Sequence, residues 1–246
     1  MLNYQYKKLN IAAYISVLMI IIILIVVFFI MFKYNVEGEA TPPFKITKMV
    51  VVSTAKTENM KLTEEMYSAD VLQSNDIKIA IEKNPEYKKE AIIRNITINN
   101  IQIDPKETTG SIEIYRPSMG NKNYEYIEKY KIENEMIYAG EQETYTKGET
   151  LQIANQGGII DFSIIINNLG TIKYNENQPV KIDGTLLKKI GIEKAEFQIK
   201  FDLIVELEND VKLKTKMTLD LPTGNILENG IETIEQTEMK TVFKRI

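Results

Sequence analysis

The sequence predicts a mainly β fold held behind a single N-terminal transmembrane helix. Three observations carry that prediction. Residues 11–32 form a run of 22 without a charge. The chain beyond residue 43 is rich in segments whose apolar residues alternate with polar ones. One pair of such segments, on either side of Glu208-Asn209-Asp210, reads as a hairpin with a defined register.

The uncharged run from Ile11 to Phe32 comes first. At about 1.5 Å of rise per residue it spans about 33 Å, enough for a hydrocarbon core of about 30 Å. A cleaved signal peptide has a shorter apolar region and a small-x-small site, whereas Lys33-Tyr34-Asn35-Val36 follows here, so a retained anchor is expected. Lys7, Lys8 and the α-amino group precede the run, and Glu37 and Glu39 lie beyond it. The positive excess puts residues 1–10 in the cytoplasm as a short tail and the rest outside the cytoplasmic membrane. Tyr6, Tyr14 and Tyr34 suit the two lipid–water interfaces. Ala12 and Ser16 form a small-xxx-small pair, which at the helix boundary reads as ordinary helix sequence.

Residues 33–43 hold Gly38, Pro42 and Pro43 without apolar periodicity and read as a stalk. Fully extended it reaches only about 35 Å, which keeps the external domain near the bilayer.

Residues 44–246 form that domain. All 34 acidic residues but only 27 of the 30 basic ones lie beyond residue 35, a formal charge of −7. That excludes a basic nucleic-acid footprint and argues against broad adhesion to anionic lipid. With no Cys, packing instead of disulfides must hold the domain. Abundant Ile, Lys, Asn and Glu beside only three Arg (94, 116 and 245) is the pattern of an AT-rich bacterial genome.

The strand signals follow in order. Phe44–Val52 is β-type; Ile77, Ile79 and Ile81 alternate with Lys78 and Glu82; Ile92–Ile103 is long and β-branched. Ile112 and Ile114 flank Glu113, and Ile160, Phe162, Ile164 and Ile166 alternate through Ile159–Asn167. Period 2 between turn residues marks half-buried antiparallel strands. Lys61–Asp70 is ambiguous, since Leu62, Met66 and Ala69 have helical spacing. Thr185–Gly191 reads as one or two helical turns with Thr185 as N-cap.

The hairpin is the clearest element. A three-residue loop pairs Leu207 with Val211, Val205 with Leu213 and Phe201 with Met217, and sets Glu206 opposite Lys212 and Asp202 opposite Lys216. A two-residue loop would face Glu206 with Leu213 and mix the two faces, and a one-residue slip inverts every side chain. Asn or Asp supplies the left-handed residue the turn needs. Together these strands suit an immunoglobulin-like β-sandwich, either one large unit or two tandem modules of about 100 residues with a seam at 139–148.

Several short motifs attract a chemical reading. Ser53-Thr-Ala-Lys56 matches the S-x-x-K pattern of penicillin-binding proteins, which needs Ser at a helix start with Lys one turn on. Here it ends a β-type run, and residues three apart on a strand point to opposite faces. Ser118-Met119 resembles the Ser-Met of membrane-anchored signal peptidases but lies far from the anchor and lacks the following Pro. Leu221-Pro-Thr-Gly224 resembles a sorting signal with one residue deleted and reads as a strand end entering a turn. Asn95-Ile96-Thr97 is a sequon inside a strand. Asp183-Gly184 and Asn175–Asn177 offer oxygen ligands without a calcium-loop pattern, and the lack of His and Cys speaks against zinc. Tyr115, Tyr124, Tyr126, Tyr130, Tyr138 and Tyr145 crowd one region, as an aromatic platform for sugar or peptide or as cross-strand packing.

No catalytic, cofactor or metal residue is therefore assigned. The expected role is non-enzymatic binding or scaffolding near the outer membrane face, with an envelope protein or wall polymer as partner. The alternatives are an envelope hydrolase or transferase using a Ser–Lys dyad or paired carboxylates, and a structural subunit of a surface appendage.

Overall fold

The structure, a computed structural model, describes residues 2–63, 66–107, 110–118, 124–141, 151–175, 185–237, 239 and 241–246; for 2–12, 33–37, 63, 107 and 185 it describes the backbone alone. Helix α1 runs from Leu2 to Glu37. Its stretch Ala13–Phe32 is long and apolar enough to cross a membrane, and none of it is buried in the rest of the chain.

The helix does not stop at Phe32. It continues five residues into the stretch read as stalk and ends at Gly38, whose φ of 75° is the left-handed conformation that closes helices. Gly38 is pressed against the C-terminal segment: a Cβ there would lie 2.4 Å from Val242 Cγ1 and 2.6 Å from the Phe243 carbonyl oxygen. The Glu39 N–H donates to that carbonyl at 2.6 Å, and Arg245 pairs with Glu39 at 3.3 Å. Farther on, the Asn84 backbone and side chain donate to Pro43 and Pro42, each at 2.8 Å. Residues 38–43, part of the stretch read as a short stalk, are thus bonded into the folded unit.

Among the described residues twelve strands form two sheets: β1 Phe44–Thr63, β2 Met66–Lys83, β3 Ile93–Glu107, β4 Ser111–Tyr115, β5 Lys131–Ile132, β6 Met136–Ala139, β7 Leu151–Gln152, β8 Gly157–Asn175, β9 Glu196–Leu207, β10 Lys212–Leu221, β11 Ile231–Thr237 and β12 Lys244–Arg245. The first sheet has the order β11-β1-β2-β8-β4-β5 and the second β12-β10-β9-β3-β6-β7. All pairings are antiparallel except β6 with β7. Two short helices, α2 Thr185–Lys189 and α3 Ile226–Asn229, complete the fold. Each sheet draws strands from both sides of 139–148: β2 pairs with β8, β1 with β11 and β3 with β9. Neither sheet could be built from one side of that seam alone.

The two sheets share one apolar core. Ile77, Ile79, Phe162 and Ile164 enter it from the first sheet, and Ile96, Phe201, Leu203 and Val205 from the second. Phe162 and Phe201 meet edge to face with centroids 5.6 Å apart. Leu186 and Leu187 of α2 are fully buried in the same core. The Tyr138 hydroxyl ties β6 to β8: it donates to the Asp161 carbonyl at 2.5 Å and accepts from the Asp161 N–H at 2.9 Å, just past the end of the β4 pairing at Ser163.

The hairpin has the expected register, Lys212 to Glu206, Leu213 to Val205, Lys216 to Asp202 and Met217 to Phe201. Asp210 takes the left-handed position with φ 63° and pairs with Arg94. Asp202, however, finds its cation diagonally: Lys214 lies 3.6 Å away, because diagonal neighbours on one face are within reach of a long side chain. The Ile77–Ile81 and Ile160–Ile166 alternations bury as read. Within Lys61–Asp70 the described residues, 61–63 and 66–70, are strand, with Leu62 and Met66 exposed at the far end of the β1–β2 pair. In α2, Thr185 is the first helical residue, and Gly191 follows the helix with φ 80°.

Candidate functional site

Two places break the apolar-in, polar-out rule. The first lies inside the core. Ser53, Gln73 and Asn75 project inward from β1 and β2 and are fully buried. Ser53 Oγ donates to Asn75 Oδ1 at 2.7 Å and accepts from the Thr223 N–H at 3.0 Å. Gln73 donates to Asn75 Oδ1 at 2.8 Å and accepts from Asn75 Nδ2 at 3.0 Å; Asn75 Nδ2 also reaches the Ile164 carbonyl at 3.2 Å. Each partner satisfies another, so the network tolerates burial. It is sealed from solvent and has the character of a structural element.

That geometry disposes of the Ser53–Lys56 pairing. Strand β1 does not end at the motif but runs on to Thr63. Ser53 faces inward, whereas Lys56 faces the outer side, where it donates to Tyr126 Oη at 3.2 Å and pairs with Asp76 at 3.7 Å. Ser118 is buried, and Met119 lies outside the described residues. The Leu221–Gly224 stretch ends β10, and Thr223 docks on Ser53. Asn95 of the sequon is tied to Glu206 within β3. Asp183, Gly184, Glu176, Asn177 and Tyr145 lie outside the described residues. Among the described residues no group of three or more His, Cys, Asp or Glu is arranged to hold a metal ion.

The second departure is on the outer face of the first sheet. Leu72, Ser74 and Ile165 point outward and are nevertheless buried. The segment after β4 folds over them: Tyr126 lies within 3.4 Å of Ser163, whose hydroxyl donates to Asp76 at 2.6 Å, and its ring meets Tyr115 edge to face at 5.3 Å. Beside this cover a cavity of about 350 Å³ opens, walled by Tyr115, Tyr126, Glu58, Asp70, Glu113 and Glu128, with Asn59, Asn167 and Asn168 at its margin. Glu113 is fully engaged, accepting from Lys131 at 2.7 Å, from Tyr115 at 2.9 Å and from Asn167. Burial pushes its carboxyl up, but those donors together outweigh burial and hold it below the usual 4.5. The Tyr115 and Tyr124 hydroxyls are pushed well up, first by burial and then by neighbouring carboxylates, so both stay protonated; Tyr115 donates to Glu113, whereas the buried Tyr124 hydroxyl has no hydrogen-bond partner among the described residues. Tyr130 instead stacks under Arg116, 5.3 Å from its centroid, and Tyr138 serves the sheet junction.

Glu58 and Asp70 stand directly opposite each other on β1 and β2. Like charges in that position destabilise a ladder. Burial raises the Glu58 pKa above 4.5; Lys56 lowers it and Asp70 raises it further. A raised carboxyl contributes stability below its unfolded value, and the contribution is lost as pH rises through the folded value. At pH 7 the ionised Glu58 is therefore a cost, and Glu58→Gln is expected to raise the melting temperature by about 1–2 °C, consistent with about 0.5 kcal/mol for such a pair. The gain should vanish near pH 3.5, where Glu58 is already neutral. Glu113 has the opposite sign, its stabilisation being present above 4.5 and lost as pH falls through its folded value. Thermal melts of wild type and variant at both pH values decide; an unchanged melting temperature at pH 7 refutes the repulsion.

Chemically the cavity presents carboxylate and amide oxygens beside tyrosine rings, which suits a ligand rich in hydroxyl or ammonium groups. Sequence reasoning named the tyrosines but missed Glu58, Asp70 and Glu113, whose approach depends on pairings 12 or more residues apart. No family model matches the chain, and no curated protein or solved structure matches it.

Proposed function

We propose that this chain is a membrane-anchored, extracytoplasmic β-domain with a non-enzymatic binding role near the outer face of the cytoplasmic membrane, its N-terminus inside. The partner is an envelope protein or wall polymer. The observation that carries this reading is the polar, tyrosine-walled cavity on the outer face of the first sheet. Retention of the anchor is supported by the unbroken helix to Glu37 and by Gly38 packed on Val242 and Phe243, where a cleaved signal would need an accessible small-x-small site.

The strand order supports an immunoglobulin-like sandwich. With β1, β2, β3, β4, β8, β9 and β10 taken as A to G, the first sheet contains A-B-E-D and the second C-F-G, the constant-type arrangement. The short strands β5, β6 and β7 then belong to an insertion between D and E, which also supplies the cover over the outer face.

A photoreactive amino acid placed at Glu128, on the cavity wall, tests the role in intact membranes against one at Lys200, on the exposed face of the other sheet. Cross-links from 128 and not from 200 are expected. Tyr126→Ala should weaken them at least tenfold while Tyr126→Phe, which keeps the ring, retains them. Equal labelling from both positions, or none from either, refutes the cavity as the binding site.

One observation favours a second reading, an envelope hydrolase with paired carboxylates. Glu58, with its raised pKa, has the character of a general acid, and Asp70 opposite it that of the second carboxylate. Under that reading Glu58→Gln abolishes glycan turnover while leaving cavity cross-linking intact.

A further inference from the structure

A larger cavity among the described residues has the opposite electrical character. Strand β10 is paired along its whole length with β9, but on its other side the described residues meet it only at Lys212–Lys214, where β12 pairs with Leu213 and Lys214 and the Ile246 N–H donates to the Lys212 carbonyl at 3.0 Å. A cavity of about 600 Å³ opens between residues 214–218 on one side and Met239 and residues 241–246 on the other. Lys214, Lys216, Lys244 and Arg245 line it, with Met239 and Val242, and among the described residues no acidic one does. In an external part of charge −7, counted beyond residue 35, this is a local reversal of sign. Asp202 lies 3.6 Å from Lys214 and Glu39 takes Arg245, while Lys216 has no ion pair among the described residues.

Its place in the fold is equally specific. The apolar span ends at Phe32 and α1 continues to Glu37, an advance of about 7.5 Å, close to the depth of one headgroup layer. The next residue, Gly38, packs against Val242 and Phe243, which lead directly into the cavity wall. Val242 and Ile246 are exposed apolar residues on the same segment. Lys214 sits opposite Lys244, and Lys216 lies two residues farther along the strand, about 7 Å away and within a Debye length of about 8 Å. Basic side chains at that height feel the negative potential of an anionic leaflet, although the domain as a whole does not.

We propose that this basic edge is a docking site for anionic phospholipid headgroups of the leaflet that α1 leaves, so that the C-terminal segment rests on the membrane and sets the domain's tilt. The inference rests on the anchor reading above. An extended acidic protein segment adding a strand to β10 is the competing occupant. The lipid is favoured because the cavity adjoins the end of the membrane helix and because exposed apolar residues flank its cations.

The full chain is reconstituted in nanodiscs of phosphatidylcholine alone or with 30% phosphatidylglycerol, and amide hydrogen exchange is followed. Exchange in 215–219 and 241–246 is expected to slow several-fold with phosphatidylglycerol and to recover at high salt. Lys214→Glu/Lys216→Glu/Lys244→Glu should lose that protection while amides of 203–205, in the β9 core, keep theirs as a folding control. A chain anchored equally in both discs with no lipid-dependent difference overturns this proposal alone. Slowing in phosphatidylcholine discs on adding a polyglutamate peptide, with no response to phosphatidylglycerol, also overturns it and assigns the edge to a protein strand. A chain that copurifies with neither disc overturns the anchor reading and this one together.

Discussion

Replacing Phe201 by alanine is expected to cost about 4 kcal/mol, the largest single-residue effect in the domain. Phe201 is almost fully buried and meets Phe162 edge to face at 5.6 Å, so it is a direct contact between the two sheets. The change removes a buried aromatic surface and leaves a cavity that strands on both sides, fixed by their ladders, cannot collapse to fill. With total stabilities of about 5–15 kcal/mol for domains, about a quarter or more of the folding free energy would be lost. Denaturant unfolding of the full chain, followed by near-ultraviolet tyrosine dichroism, measures it; a loss below 1.5 kcal/mol would mean that the sheets are held chiefly elsewhere. Phe201→Leu, which retains most of the volume, should recover more than half of the loss.

Asn75→Leu comes next, at about 3 kcal/mol. The replacement is close in size, so the cost is chemical. Asn75 Oδ1 accepts from Ser53 and Gln73, and its Nδ2 donates to Gln73 and the Ile164 carbonyl. Each buried group left without a partner costs about 1–3 kcal/mol. The double variant Gln73→Leu/Asn75→Leu removes the donor and acceptor of Gln73 together and is expected to be less damaging than the sum of the two single changes by at least 1 kcal/mol. Strict additivity in the double-mutant cycle would show that Gln73 and Asn75 act independently.

Where local pattern carried the information, the fold was legible. Period 2 identified Ile77–Ile81 and Ile160–Ile166 as inward-facing, and the β9–β10 register followed from keeping apolar and charged residues on separate faces around Glu208–Asp210. Lys61–Asp70 was ambiguous because Leu62 and Met66 are exposed, so their spacing reports no buried face of either kind. Leu72 and Ile165 depart from the alternation in the other direction: both lie on the outer face and are buried where a segment between β4 and β5 folds over them. The cavity shared that fate. Tyr115 and Tyr126 are near in sequence and were visible as a cluster, but Glu58 is set against Asp70 by strand pairing, and Glu113 against Asn167 by a partner 54 residues away.

The sequence by itself determined the uncharged helix, the acidic balance of the external part, the β-rich class and the one hairpin whose loop is three residues long. Each is a property of neighbouring residues, set by length, charge count or side-chain period. Only the tertiary structure decided that 38–43 is bonded into the domain, that strands on both sides of 139–148 share each sheet, that Ser53 and Lys56 face opposite ways, and that carboxylates gather at one face while lysines gather at an edge beside the helix. Those features depend on contacts between segments far apart in the chain. Such contacts form through burial of a common core, which local periodicity requires but does not specify.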